Sequence, residues 1–188
     1  ESDENAAGTY DLMAVPADAA TAPITLDGYS PPQSAGYFTG LGTPVVGRRA
    51  VYPVVGPSTN LFSVRYDGTA SSNRVNDQLA AGVSVRNAFV PSTATRLMAW
   101  GVGPAGKTDK LYAGPIRSDL NPEQVNTTAA AASLGVLGYE VAGDEVRVVF
   151  LQDQDSAGKA ELYSVVLDSD HDGADNASDN CPFVNNPG

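Results

Sequence analysis

The stretch Asp153-Gln-Asp-Ser-Ala-Gly-Lys-Ala-Glu-Leu-Tyr-Ser-Val165 has a counterpart near the start of the chain, Asp3-Glu-Asn-Ala-Ala-Gly-Thr-Tyr-Asp-Leu-Met-Ala-Val15, at a distance of 150 residues. Two further copies lie between them. Leu61-Phe62-Ser63-Val64 and Leu111-Tyr112-Ala113-Gly114 complete a series in which the leading Leu stands at 12, 61, 111 and 162, with steps of 49, 50 and 51. Self-similarity at a fixed step of this size is the mark of a repeat architecture. Other markers keep the step. Arg74-Val75-Asn76 recurs as Gln124-Val125-Asn126, with Ile24-Thr25-Leu26 where an earlier copy belongs. Arg96-Leu97-Met98-Ala99-Trp100 aligns with Arg147-Val148-Val149-Phe150-Leu151 and with Arg49-Ala50-Val51-Tyr52-Pro53.

Between these lie Ala35-Gly36-Tyr37-Phe38, Val83 to Phe89 and Gly135 to Val141, so each repeat holds four short extended segments. They are rich in Val, Leu, Tyr and Phe and bounded by Gly, Pro, Asp, Asn or Ser, which is the signature of strands and turns. The one alanine run, Ala129 to Ala132, is too short to nucleate a helix alone. Asp77 to Gly82 reads as a connection between strands. About fifty residues with four strands is the arithmetic of a β-propeller blade. The expected fold is therefore all-β, a propeller-like array of about three four-stranded repeats with units roughly 12–60, 61–110 and 111–161, and a closing strand at 161–167. A β-sandwich is the alternative, but it gives no reason for three markers to share one spacing.

The pattern Arg74-Val75-Asn76, Phe89, Arg96-Leu97-Met98-Ala99-Trp100, Lys110-Leu111-Tyr112, together with Val146 to Asp155 running into Glu161 to Val165, resembles the TolB-like, WD-related propeller repeats of bacterial surface and periplasmic proteins. The resemblance covers residues 3 to 167 and is clearest in the last two repeats. Three units are fewer than the four to eight that close a propeller. The chain is thus expected to be part of a longer propeller, a half-ring completed by a second copy, or a member of an open assembly joined through strand edges. In the last case the final strand, Glu161 to Leu167, is the piece expected to pair out of place.

The chain carries 22 carboxylates against 11 Lys and Arg, a net charge of -11, which has the wrong sign for nucleic acid or an anionic membrane surface. No run of eighteen apolar residues exists to span a bilayer. The negative charge gathers at the end. Asp168, Asp170, Asp172, Asp175 and Asp179 fall in the last 21 residues, where there is no Lys or Arg. In Asp168-Ser-Asp170-His-Asp172-Gly173-Ala174 running to Asp179, oxygen donors stand at positions 1, 3, 5 and 12 with Gly at 6, which is EF-hand loop spacing with Asp in place of Glu at the end. A hard cation takes six to eight oxygens; alternating carboxylates, a glycine turn and the position-7 carbonyl of Ala174 supply them. With the following Asn180-Cys181-Pro182-Phe183-Val184-Asn185-Asn186-Pro187-Gly188, the segment resembles the first half of a thrombospondin type 3 repeat, a calcium-wrapped extracellular module. The resemblance implies Ca2+ as the cofactor, Asp168, Asp170, Asp172 and Asp179 as ligands through their carboxylates, Ala174 through its carbonyl, and Asp175 as a lesser candidate. It also implies a partner for Cys181 beyond Gly188, in a natural protein expected to continue past that residue.

Catalytic groups are sparse. The single histidine, His171, sits at position 4 of the loop, which makes a Ser-His-Asp or Cys-His constellation improbable. A carboxylate pair drawn from Asp67, Glu140, Asp144, Glu145, Asp153 and Asp155 remains open in principle, although Asp153 and Asp155 read as turn residues. Trp100 and the recurring Phe62, Tyr112 and Tyr163 read as packing aromatics. Gly101 to Thr108 lacks phosphate-loop spacing and reads as a hairpin. Asn126-Thr-Thr and Asn176-Ala-Ser fit the glycan acceptor rule. The expectation is a non-enzymatic, secreted or surface-exposed bacterial structural or adhesive protein with calcium as its partner. A self-assembling filament or sheath subunit and a carbohydrate-binding or carbohydrate-acting propeller are the alternatives.

Overall fold

The computed structural model describes residues 2–6, 9–14, 24–27, 34–35, 45–46, 49–89, 97–116, 122–127, 132–143, 146–168, 170, 172, 174–176, 178–179 and 181. Every regular element among them is a strand: β1 (Ser2–Ala6), β2 (Thr9–Ala14), β3 (Ile24–Asp27), β4 (Ser34–Ala35), β5 (Val45–Val46), β6 (Arg49–Val55), β7 (Asn60–Arg65), β8 (Asn73–Arg74), β9 (Ser84–Phe89), β10 (Leu97–Gly103), β11 (Lys110–Pro115), β12 (Glu123–Gln124), β13 (Val136–Val141), β14 (Arg147–Gln152) and β15 (Glu161–Val166). They form four antiparallel sheets, each a meander of neighbours in sequence: β1-β2-β3, then β4-β6-β7-β8 with β5 also on β6, then β9-β10-β11-β12, then β13-β14-β15. The fold is the expected propeller-like array of small antiparallel sheets. Leu61, Leu111 and Leu162 each stand second in β7, β11 and β15, so a unit counted from these leucines ends one sheet and begins the next, while Leu12 lies within β2, the central strand of the first sheet. Ala129, Ala130 and Ala131 lie outside the described residues, whereas Asp77 to Gly82 is described and is the irregular connection from β8 to β9.

Successive sheets pack face to face, and strand alternation sends neighbouring side chains to opposite cores. In β10 all seven residues are buried. Met98, Trp100 and Val102 join Val51, Leu61 and Val75 of the second sheet, while Leu97 and Ala99 join Val136, Val148 and Phe150 of the fourth. A strand clamped on both faces must read as an apolar run, which is why Leu-Met-Ala-Trp-Gly-Val-Gly carries no polar alternation. The first sheet contributes Leu12 to a third core with Ala50, Tyr52, Val54 and Val64.

Each of the last three sheets holds one aromatic pair at the same register position: Tyr52 opposite Phe62, Trp100 opposite Tyr112 and Phe150 opposite Tyr163. Their ring centroids are 6.3, 6.2 and 5.4 Å apart, spacings at which aromatic pairs add to burial. This register corrects the arginine-led alignment by one residue. Trp100 corresponds to Tyr52 and Phe150, not to Pro53 and Leu151. The slip matters because one residue moves a side chain to the other face of the sheet.

The Val-Asn marker is a latch. Asn76 Oδ1 accepts the Leu61 N–H at 2.6 Å, and fifty residues later Asn126 Oδ1 accepts the Leu111 N–H at 2.7 Å. The preceding valines donate to the carbonyls of the same leucines, Val75 to Leu61 at 2.8 Å and Val125 to Leu111 at 2.9 Å. Backbone bonds also join one sheet to the next: Val85 N–H donates to Thr59 C=O at 2.9 Å, and Val136 N–H to Thr108 C=O at 2.8 Å. Within the chain the last strand pairs in sequence order. β15 runs antiparallel to β14 over its whole length, from Gln152 opposite Glu161 to Arg147 opposite Val166. Residues 104–109 form the expected hairpin, with Gly106 at φ 79° where a residue with a Cβ would be strained.

Candidate metal centre

The acidic segment leaves β15 through Leu167, whose side chain is packed in the core between the third and fourth sheets. Two backbone bonds fix that residue: its N–H donates to Val146 C=O at 2.9 Å, and its C=O accepts the N–H of Asn176 at 2.6 Å. The second bond brings the chain back on itself, so residues 168 to 175 form a closed excursion anchored on the core. Its first residue is tied to the third sheet, the Asp168 N–H donating to Glu123 Oε2 at 3.3 Å.

Within the excursion the aspartates turn the chain through their own neighbours. Asp172 N–H donates to Asp170 Oδ1 at 3.3 Å and Ala174 N–H to Asp172 Oδ1 at 2.9 Å, the i to i+2 pattern by which Asp closes a turn. The result gathers charge. One carboxylate oxygen from each of Asp168, Asp170 and Asp172 lies within 4.8 Å of the other two, and Asp170 is buried. Oxygens that share one ion at about 2.4 Å lie at most about 4.8 Å apart, so the three are close enough to meet on a single cation.

The remaining predicted residues behave differently. Asp179 does not join the three at that spacing. Its Oδ1 accepts the Cys181 N–H at 2.8 Å, and its Oδ2 is buried with no hydrogen-bond partner among the described residues, the condition of a carboxylate suited to a cation. Ala174 is placed next to the cluster by its bond to Asp172. Asp175 Oδ1 accepts from both the N–H and the hydroxyl of Ser178, each at 3.0 Å, which is a turn-closing role. His171, Gly173 and residues 182–188 lie outside the described residues; Cys181 is a free, exposed thiol.

The carboxylates considered for acid–base chemistry are scattered. Asp153, almost fully buried, accepts from the Ser133 hydroxyl and from the N–H groups of Leu134, Gly135 and Gly158. The Ser133 hydroxyl, then the Gly158 and Leu134 amides, hold its carboxyl well below the usual carboxylate range. Sequence reasoning placed it in a turn, and Gly158 confirms that; the tie to residues 133–135 was not legible. Asp155 accepts from the Tyr163 hydroxyl at 2.9 Å. Burial, then Asp155 and Glu161, push that phenol up to about 12. Asp67 pairs with Arg65 and caps Thr69. Glu140 is exposed on β13, and Asp144 and Glu145 lie outside the described residues. Of the two glycan acceptor triplets, Asn126 and Asn176 are both buried, and the Asn126 amide is engaged through Oδ1 and Nδ2 alike.

A second concavity, of about 280 Å³, opens between the 76–83 connection and the third sheet, with Leu79, Val83, Trp100, Val102 and Lys110 among its lining. Its counterpart one sheet on is filled. Gln152, at the register position of Val102, is fully buried, accepting from Asn126 Nδ2 at 2.9 Å and donating to Thr127 C=O at 3.2 Å.

Neither a protein-family model nor a curated protein sequence matches the chain. Among solved structures it is similar to one assigned as TolB, from Agrobacterium tumefaciens, with 11% sequence identity and a TM-score of 0.42 over 80% of this chain and 50% of that one. The chain thus spans half the length of that structure.

Proposed function

We propose that this chain is a non-enzymatic structural or adhesive element of an extracellular or cell-surface protein, in which TolB-like, WD-related propeller repeats lead into the first half of a thrombospondin type 3 repeat that takes up calcium. The observation that carries the reading is the meeting of Asp168, Asp170 and Asp172 within 4.8 Å on a segment anchored to the core. Calcium supplies the positive charge that three converging carboxylates lack. The chain's own contribution is to hold the donors: Leu167 fixes the start of the loop, Asn176 its return, and the Asp170 and Asp172 carboxylates are tied to the backbone two residues on. Ala174 and Asp179 complete the proposed set. A site of this kind rigidifies the exit from the last sheet and so fixes the direction in which the array is presented.

Extracellular calcium modules bind at roughly 10⁻⁴ to 10⁻³ M, which matches the ion's abundance outside cells and not within them. Among the described residues no helix is long and apolar enough to cross a membrane. The test is calorimetric titration of the full chain with calcium, paired with thermal melts and limited proteolysis. At about a hundred times Kd the folded state gains about 2.7 kcal/mol, and cleavage around residues 168 to 181 slows. Asp170→Ala and Asp172→Ala abolish both effects. A chelator that left the melting temperature and the protease pattern unchanged would overturn the calcium site.

A further inference from the structure

The cavity between the 76–83 connection and the third sheet, about 280 Å³, stands at the small end of ligand pockets, which run from about 300 to 1,000 Å³. Leu79, Val83, Trp100 and Val102 give it an apolar wall, and Asp77 and Lys110 bring charge of both signs to it. Val102 and Lys110 are cross-strand partners, so they share the face of the third sheet that carries Trp100. Lys110 is half-buried there and makes no ion pair or hydrogen bond among the described residues.

The neighbouring seam shows what such a space holds. Gln152 stands at the register position of Val102, since Val102 lies opposite Lys110 and Gln152 opposite Glu161. Its carboxamide accepts from Asn126 Nδ2 at 2.9 Å and donates to the Thr127 carbonyl at 3.2 Å. The receiving groups recur one sheet earlier. Asn126 Nδ2 donates to Thr127 C=O at 2.9 Å and Asn76 Nδ2 to Asp77 C=O at 2.7 Å, so the Asp77 carbonyl holds the place that Thr127 holds in the next seam. Valine at 102 is too short to reach it and has nothing to donate. One difference sets the orientation of a guest. Asn76 Nδ2 also donates to Asn60 Oδ1 at 3.0 Å, which leaves Lys110 as the donor for an incoming oxygen.

We propose that this cavity binds a small neutral molecule carrying a primary carboxamide on a short aliphatic stem, the chemical equivalent of the Gln152 side chain. The ligand N–H donates to Asp77 C=O, its carbonyl oxygen accepts from Lys110 Nζ, and its stem packs on Leu79, Val83, Trp100 and Val102. A carboxylate of the same size fits less well. It has no N–H for the Asp77 carbonyl, and it meets the Asp77 side chain on a chain of net charge -11.

Trp100 is the single tryptophan of the chain and part of the cavity wall, so its fluorescence reads the site directly. Titration of the full chain with hexanamide is expected to give a saturable change with a Kd of about 1 mM or lower, the range for a ligand of this size. Heptan-2-one, which keeps the carbonyl and loses both N–H groups, binds about tenfold more weakly, and so does hexanoate. Val102→Gln fills the cavity with the chain's own carboxamide and removes the response, while the melting curve stays close to that of the unaltered chain. Lys110→Met, at a half-buried position, raises the Kd at least about fivefold with the fold intact. No saturable change up to about 20 mM hexanamide overturns the proposal. Affinity for heptan-2-one or hexanoate equal to or above that for hexanamide overturns it too, as does an undiminished response in folded Val102→Gln or Lys110→Met.

Discussion

The third and fourth sheets are built from the same repeat, but they live in different surroundings, and the same residue type does different work in each. Leu111 of the third sheet and Leu162 of the fourth occupy equivalent places on equivalent strands; one is sealed beneath a neighbour and the other faces outward. β11 is buried at four of its six positions, while β15, its counterpart, alternates between partly buried and exposed. Repetition in sequence thus sets the backbone and the register, whereas the presence of a following sheet sets the energetic weight of each side chain.

The sharpest way to break this comparison is to hollow both sheets. Trp100→Ala, at the fully clamped centre, is expected to cost about 3–5 kcal/mol, seen as a large fall in urea midpoint with a cooperative transition retained or lost altogether. Leu111→Ala should cost about 2–5 kcal/mol and Leu162→Ala under about 0.5 kcal/mol. Equal effects at the two leucines would show that the third and fourth sheets are not packed as described.

Smaller effects separate the polar ties. Gly135 has φ 78°, and a Cβ there would lie 2.3 Å from the Thr108 carbonyl oxygen, the acceptor that joins the third sheet to the fourth; Gly82 has φ 77° with open space around it. Gly135→Ala is therefore expected to destabilise more than Gly82→Ala, which carries only the left-handed strain of about 1 kcal/mol. Gln152→Val strips a hydrogen-bond partner from the Asn126 amide at a fully buried position and should cost about 1–3 kcal/mol. The reverse exchange, Val102→Gln, extends a side chain beside an existing cavity and should stay within about 1 kcal/mol. Thermal melts of the four variants rank them.

The last prediction concerns acid. The Asp153 carboxyl is held below its ordinary range by Ser133, Gly158 and Leu134. The unfolded chain therefore takes up this proton first as pH falls through about 4, where free Asp titrates. The stabilisation is whole above that pH and is lost progressively below it. Asp153→Asn is expected to lower the melting temperature at neutral pH and to flatten its fall between about pH 4 and 2.

Much of this was legible before any coordinates. The leucine step revealed the repeat, and turn residues bounded the strands. The one-residue error in aligning Trp100 arose because β-strand sequences repeat their apolar character more faithfully than their register; only the opposing strand, with Tyr112, Phe62 and Tyr163, decides which neighbour is equivalent. The recurring Asn was visible as a marker at 76 and 126, but nothing local says that an Asn will be buried to cap a strand amide fifteen residues earlier. Gln152 was invisible for the same reason, since its partners Asn126 and Thr127 belong to the neighbouring sheet. The alternation of the acidic loop is local and so could be read directly, and Asp168, Asp170 and Asp172 each place a carboxylate oxygen within 4.8 Å of the others.

The paired asparagine latches also make the molecule its own gauge of opening. The Leu61 and Leu111 amides are bonded to buried side-chain oxygens of Asn76 and Asn126, so solvent deuterium reaches them only when the surrounding sheet contacts part. Their exchange rates would then report two successive seams of the stack separately. If the array opens like a book from its uncovered last page, Leu111 exchanges before Leu61, and the order of leaving runs backward along the chain.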